Sequence, residues 1–151
     1  MEISARAEYA VRALAELTNA GGGPLTVGDL AAAQDIPARF LQNILLQLRQ
    51  RGLVRSQRGA EGGYRLAKAP SAISLADILR AVDGPLAAIR GERPESVHYQ
   101  GSAIPLEDVW LALRVSMRHV VEHVTLEHLV VGPLPPQVAE LVDNPDAWVS
   151  G

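Results

Sequence analysis

The chain has 151 residues, which suits one domain or a small domain with an accessory element. It contains no cysteine, which excludes disulfides, thiolate metal sites and cysteine nucleophiles. Hydrophobic residues make up 48% of the chain but few are aromatic, which predicts a largely helical core of Ala, Leu and Val. No apolar run approaches the length of a membrane span, and the N-terminus lacks a signal peptide's apolar core. We therefore expect a cytoplasmic protein that does not contact a membrane.

Charge is unevenly distributed along the chain. The whole sequence carries 14 basic and 17 acidic residues, a formal net charge of −3. Between Arg39 and Lys68, however, seven basic residues accompany one acidic residue, so this segment is +6 and the remainder is −9. A basic segment in an acidic protein indicates a surface where phosphates can bind. For a charge cluster alone, a solvated basic surface is the alternative interpretation.

The first two helices have recognisable starts. Ser4 is a candidate cap for a first helix of apolar residues at helical spacing, which the run Gly21–Pro24 ends. Thr26, with an acidic residue three positions later, forms a variant of the capping box. It predicts a short second helix near Val27–Gln34.

A third helix is predicted from Ala38 to Arg51, after a turn at Asp35–Pro37. Leucine and isoleucine at 41, 44, 45 and 48 form an apolar stripe. The opposite face suits base edges, because Asn and Gln pair with adenine and Arg with guanine. An ordinary solvated face is the alternative, but Lys and Glu, its usual residues, are absent from this helix. The polar face carries Arg39, Gln42, Asn43, Gln47 and Gln50.

A basic β-hairpin follows the third helix. Two β-prone runs, Leu53–Gln57 and Tyr64–Ala67, flank a glycine-rich turn that carries Arg58. Helix, turn, helix and basic hairpin is the layout of a winged helix-turn-helix, which reads duplex DNA. Arg49, Arg51, Arg55 and Arg65 are candidate phosphate contacts. The predicted DNA-binding residues are Thr26, Arg39, Gln42, Asn43, Gln47, Arg49, Arg55, Ser56, Arg58, Gly59, Gly62, Gly63 and Tyr64.

The C-terminal half predicts a dimerisation element. Ser74 predicts a further capped helix that ends at Gly84, and residues 86–105 predict a long loop. The last long helix begins near Leu106 and carries apolar residues at alternating spacings of four and three, the pattern of a coiled coil. Because a winged helix-turn-helix already buries its own core, we interpret this stripe as a homodimer contact. The predicted contacts are Leu106, Trp110, Leu113, Met117, Val120 and Val124.

The predicted fold class is mainly α: a winged helix-turn-helix DNA-binding domain with a long C-terminal dimerisation helix. The DNA-binding domain covers residues 1–84, a variable sensor-type loop 85–105, the dimerisation helix region 106–131 and a C-terminal tail 132–151. Within the tail we predict a short helix over Gln137–Val142 and a loose end over Asp143–Gly151.

A zinc-dependent peptidase is a rival interpretation. His119, Glu122 and His123 fit the pattern H-x-x-E-H, in which two histidines on one helix face hold zinc and the glutamate acts as general base. A catalytic zinc needs a third protein ligand, and His128 lies only five residues further on. We therefore expect polar surface positions, no enzyme, no catalytic residues, no metal and no cofactor. A protein-interaction module that has lost DNA binding is a further alternative, disfavoured by the basic hairpin and amide-rich helix.

Several segments resemble the Rrf-two family of bacterial transcriptional regulators. They are Ala7–Leu14, Phe40–Arg49, Gly52–Val54, Ser56, Arg58-Gly59, Gly62–Tyr64 and Asp77–Pro85. The resemblance implies a homodimeric winged helix-turn-helix protein. We predict that it binds an inverted-repeat operator in double-stranded DNA and represses transcription.

Many family members sense iron, nitric oxide or redox state through an iron–sulfur cluster held by three cysteines before the dimer helix. The equivalent loop, Leu86–Pro105, contains none, so the chain resembles the cysteine-free branch of the family. That branch includes the repressor of cysteine metabolism and can respond to a partner enzyme rather than a cluster. We hypothesise that a small-molecule effector or a metabolic enzyme docks at this loop and changes half-site spacing. The alternative is a regulator controlled only by its abundance.

Overall fold

The computed structural model describes residues 2–149, and this part of the chain is mainly helical, as predicted. Short 3₁₀ turns lie in the connections between the helices. No helix of the described residues is long and apolar enough to cross a membrane. The elements are α1 (Ala5–Asn19), α2 (Val27–Gln34), α3 (Ala38–Gln50), β1 (Val54–Gln57), β2 (Gly63–Leu66), α4 (Leu75–Asp83), α5 (Leu106–Val121), α6 (Leu126–Val130) and α7 (Pro136–Asp143).

The predicted capping residues are confirmed at three helix starts. The Ser4 side chain accepts a hydrogen bond from a first-turn N–H of α1. At α2, Thr26 Oγ1 accepts from the Asp29 N–H at 3.0 Å, and the Asp29 carboxylate accepts from the Thr26 N–H at 2.9 Å. The Thr26 backbone N–H therefore holds the pKa of Asp29 below its usual value. Ser74 and Asp77 form the same reciprocal pair at α4.

The hydrophobic core lies where α1 packs against α2, α3, α4 and α6. It is built from aliphatic side chains, and the apolar stripe predicted on the third helix is buried within it. Its largest buried members are Leu14, Leu17, Leu30, Leu41, Ile44, Leu45, Leu48, Val54, Ile73, Ile78 and Leu126.

The predicted hairpin forms next to this core. β1 and β2 pair antiparallel, with Val54 opposite Leu66 and Gln57 opposite Gly63. The strand that carries Tyr64 is also bonded to the segment before α2, because Tyr64 and Leu25 exchange two backbone hydrogen bonds of 2.7 and 3.0 Å. The hairpin is thus attached along both edges of β2.

The predicted apolar stripe extends beyond the end of the long helix. α5 ends at Val121, and Val124 follows a turn, with only 3% of the residue exposed. The cause is a long-range backbone bond: the Leu75 N–H, in the first turn of α4, has no acceptor in its own helix and donates to the Val124 carbonyl at 2.8 Å. The chain then enters α6, where Leu126 is buried in the core against α1.

Two segments predicted to be irregular contain local structure. The connection 86–105 includes 3₁₀ turns at Pro94–Ser96 and Gly101–Ala103 and buries Leu86, Pro94 and Val97. In the tail, α7 is close to its predicted span, but the expected loose end instead forms a 3₁₀ turn at Pro145–Trp148. The Trp148 indole N–H donates to the Val142 carbonyl at 2.9 Å. The predicted loose residues Ser150 and Gly151 lie outside the described residues.

Gly63→Ala is expected to destabilise the fold by about 1–3 kcal/mol, because φ here is +144° and an added Cβ would lie 2.5 Å from the Leu25 carbonyl oxygen. Urea unfolding followed by circular dichroism measures the change. Gly28→Ala is the matched control. It places the new methyl on α2 at 3.6 Å from Thr26 Oγ1, an ordinary van der Waals distance, and should be neutral or stabilising by up to about 1 kcal/mol. Equal stability of the two variants would contradict this role of Gly63.

Candidate nucleic-acid interface

The candidate recognition face is the side of α3 opposite its buried stripe. Arg39, Gln42 and Asn43 are exposed there, three or four residues apart, so that their side chains lie together on one face. Gln47 lies one turn further on and is half-buried. The face therefore presents an arginine and three amides, groups that can hydrogen-bond to base edges.

Phe40 is a feature of this face that the sequence patterns did not single out. Its ring is 63% exposed and lines a cleft between the start of α1 and α3, together with Tyr9, Asn43 and Gln47. The available signal was its register, because position 40 falls outside the buried spacing of Leu41 and its partners. An exposed apolar ring on such a helix can contact a thymine methyl group.

The hairpin places its basic side chains in solvent beside α3. Arg55, Ser56, Arg58 and Gly59 are all exposed. Arg49, in the last turn of α3, donates to Ser56 Oγ at 3.2 Å, which connects the helix to β1. α3 and the hairpin therefore form one continuous basic surface.

Four of the predicted DNA-binding residues have structural roles. Thr26 caps α2, and Tyr64 is half-buried against the core while it bonds to Leu25. A Cβ at Gly62 would lie 2.6 Å from the Gln57 carbonyl oxygen, so the turn requires glycine there as it does at Gly63. These residues shape the hairpin independently of any contact with DNA.

Arg51 and Arg65 differ from the other candidate phosphate contacts. The Arg65 guanidinium donates to the Gly22 carbonyl at 3.0 Å and so holds β2 to the loop after α1. Arg51 is the C-cap of α3 and lines a separate cavity beside α4 and α5.

The H-x-x-E-H segment is organised differently from a zinc peptidase site. The Glu122 carboxylate accepts a hydrogen bond from Arg118 Nε at 2.9 Å and is also paired with Arg80. These two guanidinium groups hold the pKa of Glu122 below its usual value, so the side chain is a bound carboxylate rather than a base.

The histidines of this segment also have local partners. His123 Nδ1 lies 2.8 Å from the His119 carbonyl oxygen, and both rings are exposed. His128 completes the cap of α6, with Nδ1 3.1 Å from the Thr125 backbone nitrogen. Within residues 2–149, no three His, Asp or Glu side chains form a group that could hold a metal ion.

Comparison with known proteins identifies the family. The model of the Rrf2 family, described as an iron-dependent transcriptional regulator, matches residues 3–132. The Mycobacterium tuberculosis protein Rv1287 is 51% identical over 145 residues, which are 95% of this chain and 90% of the relative. The HTH-type transcriptional regulator CymR of Bacillus subtilis is 31% identical over 85% of this chain and 89% of its own length.

Solved structures agree with these matches. The structure of B. subtilis CymR, described as the global cysteine regulator, has a TM-score of 0.73 and 30% identity over 87% of this chain and 97% of its own. The structure of IscR from T. potens has a TM-score of 0.68 and 28% identity, and covers 100% of this chain and 93% of its own.

An iron–sulfur cluster held by cysteines does not fit this chain. Such clusters are held by thiolates, and the sequence contains no cysteine. In the connection before α5, where the family resemblance would place the ligands, His98 Nδ1 lies 3.6 Å from the Glu107 carboxylate instead.

The basic surface, the winged helix-turn-helix fold and the comparisons lead to one conclusion. The family model covers most of the chain, and relatives at 51% and 31% identity extend over most of their own lengths. The chain belongs to the Rrf2 family and is a DNA-binding transcriptional regulator.

Proposed function

We propose that the protein is a cytoplasmic, homodimeric repressor that binds an inverted-repeat operator. The observation that carries this proposal is the continuous basic surface of α3 and the hairpin. No acidic residue interrupts the sequence between Asp35 and Glu61, and the polar side chains of α3 are exposed, apart from the half-buried Gln47. A surface of this charge attracts phosphates, and its amides can pair with bases.

The contacts divide into three kinds. Base recognition falls to Arg39, Gln42 and Asn43 at the start of α3, which enters the major groove as recognition helices do. Arg58 at the tip of the hairpin reaches the minor groove, where narrow A·T stretches concentrate negative potential. Arg49 and Arg55 bind phosphates and set the register of the helix on the duplex.

The support for a dimer is the unburied apolar surface of α5. None of its 16 residues is buried within the protomer, although most are apolar. Val109 and Val115 are 52% and 59% exposed, and an exposed apolar surface of this kind marks an interaction site. We place the dimer contact on α5, where Leu113 lies near the middle of the helix.

The predicted apolar stripe needs one revision in this proposal. Val124 is excluded, because it is buried beyond the end of α5. The remaining stripe residues are half-buried by their own chain; the indole of Trp110, for example, donates to the Tyr99 hydroxyl at 3.0 Å. The interface therefore combines the exposed parts of this stripe with Val109 and Val115. The retained stripe residues are Leu106, Trp110, Leu113, Met117 and Val120.

An effector that acts through the connection 86–105 completes the proposal. This segment joins the DNA-reading domain to α5 and is bonded to α5, since the Tyr99 N–H donates to Glu107 at 2.9 Å. A small molecule or a metabolic enzyme bound there could alter how two recognition helices are spaced.

Selection of genomic fragments bound by the purified protein tests the operator. We expect a shared inverted repeat whose half-sites are about 10 bp apart, as for dimers that place two recognition helices in successive major grooves. Sequencing of the bound fragments gives the motif and its spacing. The absence of a shared motif would contradict sequence-specific regulation by this chain.

Arg58→Ala is expected to weaken operator binding by about 1–3 kcal/mol and to relax preference for flanking A·T pairs, because the minor-groove contact is lost. Fluorescence anisotropy at fixed salt measures the affinity. Arg90→Ala is the matched control, since Arg90 is exposed and belongs to the connection before α5, not to α3 or the hairpin. If both variants bind as the native protein does, Arg58 does not contact the operator.

Leu113→Glu is expected to give a folded monomer with weak operator binding, because a carboxylate would be buried without a partner in the dimer contact. Sedimentation equilibrium gives the mass, and circular dichroism reports folding. Leu113→Met keeps an apolar side chain of similar volume and should remain a dimer. A dimer of full strength in the Leu113→Glu variant would place the interface elsewhere.

A further inference from the structure

A second positively charged site lies away from the recognition face. It is a cavity of about 550 Å³ between α4, α5, the connection that precedes α5 and the residue that follows α3. Its lining includes one glutamate, Glu95, together with Gly84, Pro85 and Leu86. Five arginines also line it: Arg51, Arg80, Arg93, Arg114 and Arg118.

This concentration of arginines is unusual because the rest of the chain outside residues 39–68 is acidic. Outside the basic segment of residues 39–68, the chain has a net charge of −9 and only seven basic residues. Four of those seven line this one cavity. Like charges repel at close range, so such a cluster favours the binding of anions.

Two carboxylates of the chain already neutralise part of the cluster. Glu122 pairs with both Arg80 and Arg118, and Glu95 pairs with Arg114. Hydrogen bonds from Arg80 and Arg118 lower the pKa of Glu122. The pKa of Glu95 is also lowered, first by a hydrogen bond with its own backbone and then by Arg114. Both carboxylates are therefore charged at neutral pH.

Positive charge remains after these pairs are formed. Among residues 2–149, neither Arg51 nor Arg93 has an ion pair, and both are exposed. The buried Nε of Arg114 also has no hydrogen-bond partner in the described chain. With five guanidinium groups and two carboxylates, the cavity carries a net charge of +3.

We propose that this cavity binds a small anion with two or more carboxylate or phosphate groups, and that it is an effector site. Guanidinium groups bind carboxylates and phosphates through paired, charge-assisted hydrogen bonds. The cavity volume is typical of small-molecule sites. Its charged lining suits a polyanion rather than an apolar ligand.

The lining connects the two elements that a regulator must couple. Arg51 directly follows α3, whereas Arg114 and Arg118 lie on α5. A bound polyanion competes with Glu95 and Glu122 for their arginines, so it alters how α5 is held against α4 and the connection. Binding does not depend on the function proposed above, but this regulatory consequence rests on it.

Isothermal titration calorimetry with the full chain at fixed ionic strength tests the site. Inorganic pyrophosphate is the probe for phosphate ligands, and citrate is the probe for carboxylate ligands. We expect at least one of them to bind saturably, with one site per chain. The double variant Arg93→Gln/Arg118→Gln should weaken this binding by about tenfold or more. It removes an unpaired arginine and one of the two partners of Glu122, so each carboxylate keeps an arginine.

Arg90→Gln is the matched control, because it removes an exposed arginine of the same connection that does not line the cavity. It should bind the probe as the native chain does. Thermal unfolding checks that each variant is folded. If the double variant unfolds, the single variant Arg93→Gln carries the test, since the Arg93 side chain has no ion pair or hydrogen bond to lose among residues 2–149.

Several results would overturn the site. They are a native chain that binds neither probe, equal weakening in the Arg90→Gln control, and inorganic phosphate that binds as tightly as pyrophosphate. Displacement of the probe by random-sequence duplex DNA would instead assign the cavity to nucleic-acid phosphates.

Operator affinity, measured with and without the probe that binds, tests the effector role. We expect about a fivefold change or more in the native chain and none in the double variant. Probe binding without such a change would refute the effector role alone. A chain that binds the probe but no specific DNA would refute the proposed function and leave the site intact.

Discussion

Burial of one stripe of α3 fixes the rotation of this helix, and that rotation decides which side chains reach solvent. Leu41, Ile44, Leu45 and Leu48 lie in the core, and truncation of such a buried leucine typically costs about 2–5 kcal/mol. Arg39, Gln42 and Asn43 are exposed because they lie on the opposite side of the same helix. The hairpin is placed by the same core through Tyr64, whose backbone pairs with Leu25 just before α2. Packing against the core therefore positions both α3 and the hairpin, in addition to the contacts between them.

The backbone hydrogen bond from Leu75 to Val124 attaches the C-terminal half of the chain to the N-terminal helices. It returns the chain to the DNA-reading domain directly after α5, and Leu126 then packs in the core. α5 therefore leaves the domain through the connection 86–105 and comes back through α6, so both of its ends are attached to the domain that carries α3. Any change in the position of α5 must act on α4, where Glu122 joins the two helices by pairing with Arg80. This double attachment makes α5 suitable for transmitting a change to the recognition helix.

Local features of this fold could be predicted from the sequence, because their causes lie within a few residues. Thr26 and Ser74 cap helices through bonds to residues three positions away, and the hairpin follows from β-prone runs around glycines. The end of α5 could not be predicted, because the acceptor role of Val124 is set by Leu75, almost fifty residues earlier. The exposure of Phe40, in contrast, could have been predicted, because position 40 falls outside the apolar stripe that the sequence predicts on α3. The arginine cavity depends entirely on tertiary structure, as its five arginines are spread over residues 51–118.

Glu122 shows how one carboxylate can exclude one function and support another. As part of H-x-x-E-H it would have to be free to accept a proton, but two guanidinium groups bind its Oε1 and stabilise its charged form. The same two bonds make it an internal anion of the arginine cavity, in the position that an external carboxylate or phosphate would contest. An anion with a single charge gains little by displacing it, because one ion pair is merely exchanged for another. An anion with several charges can also engage Arg93 and Arg51, which have no ion pair among the described residues, so selectivity for multiply charged ligands follows from the arrangement of the pairs.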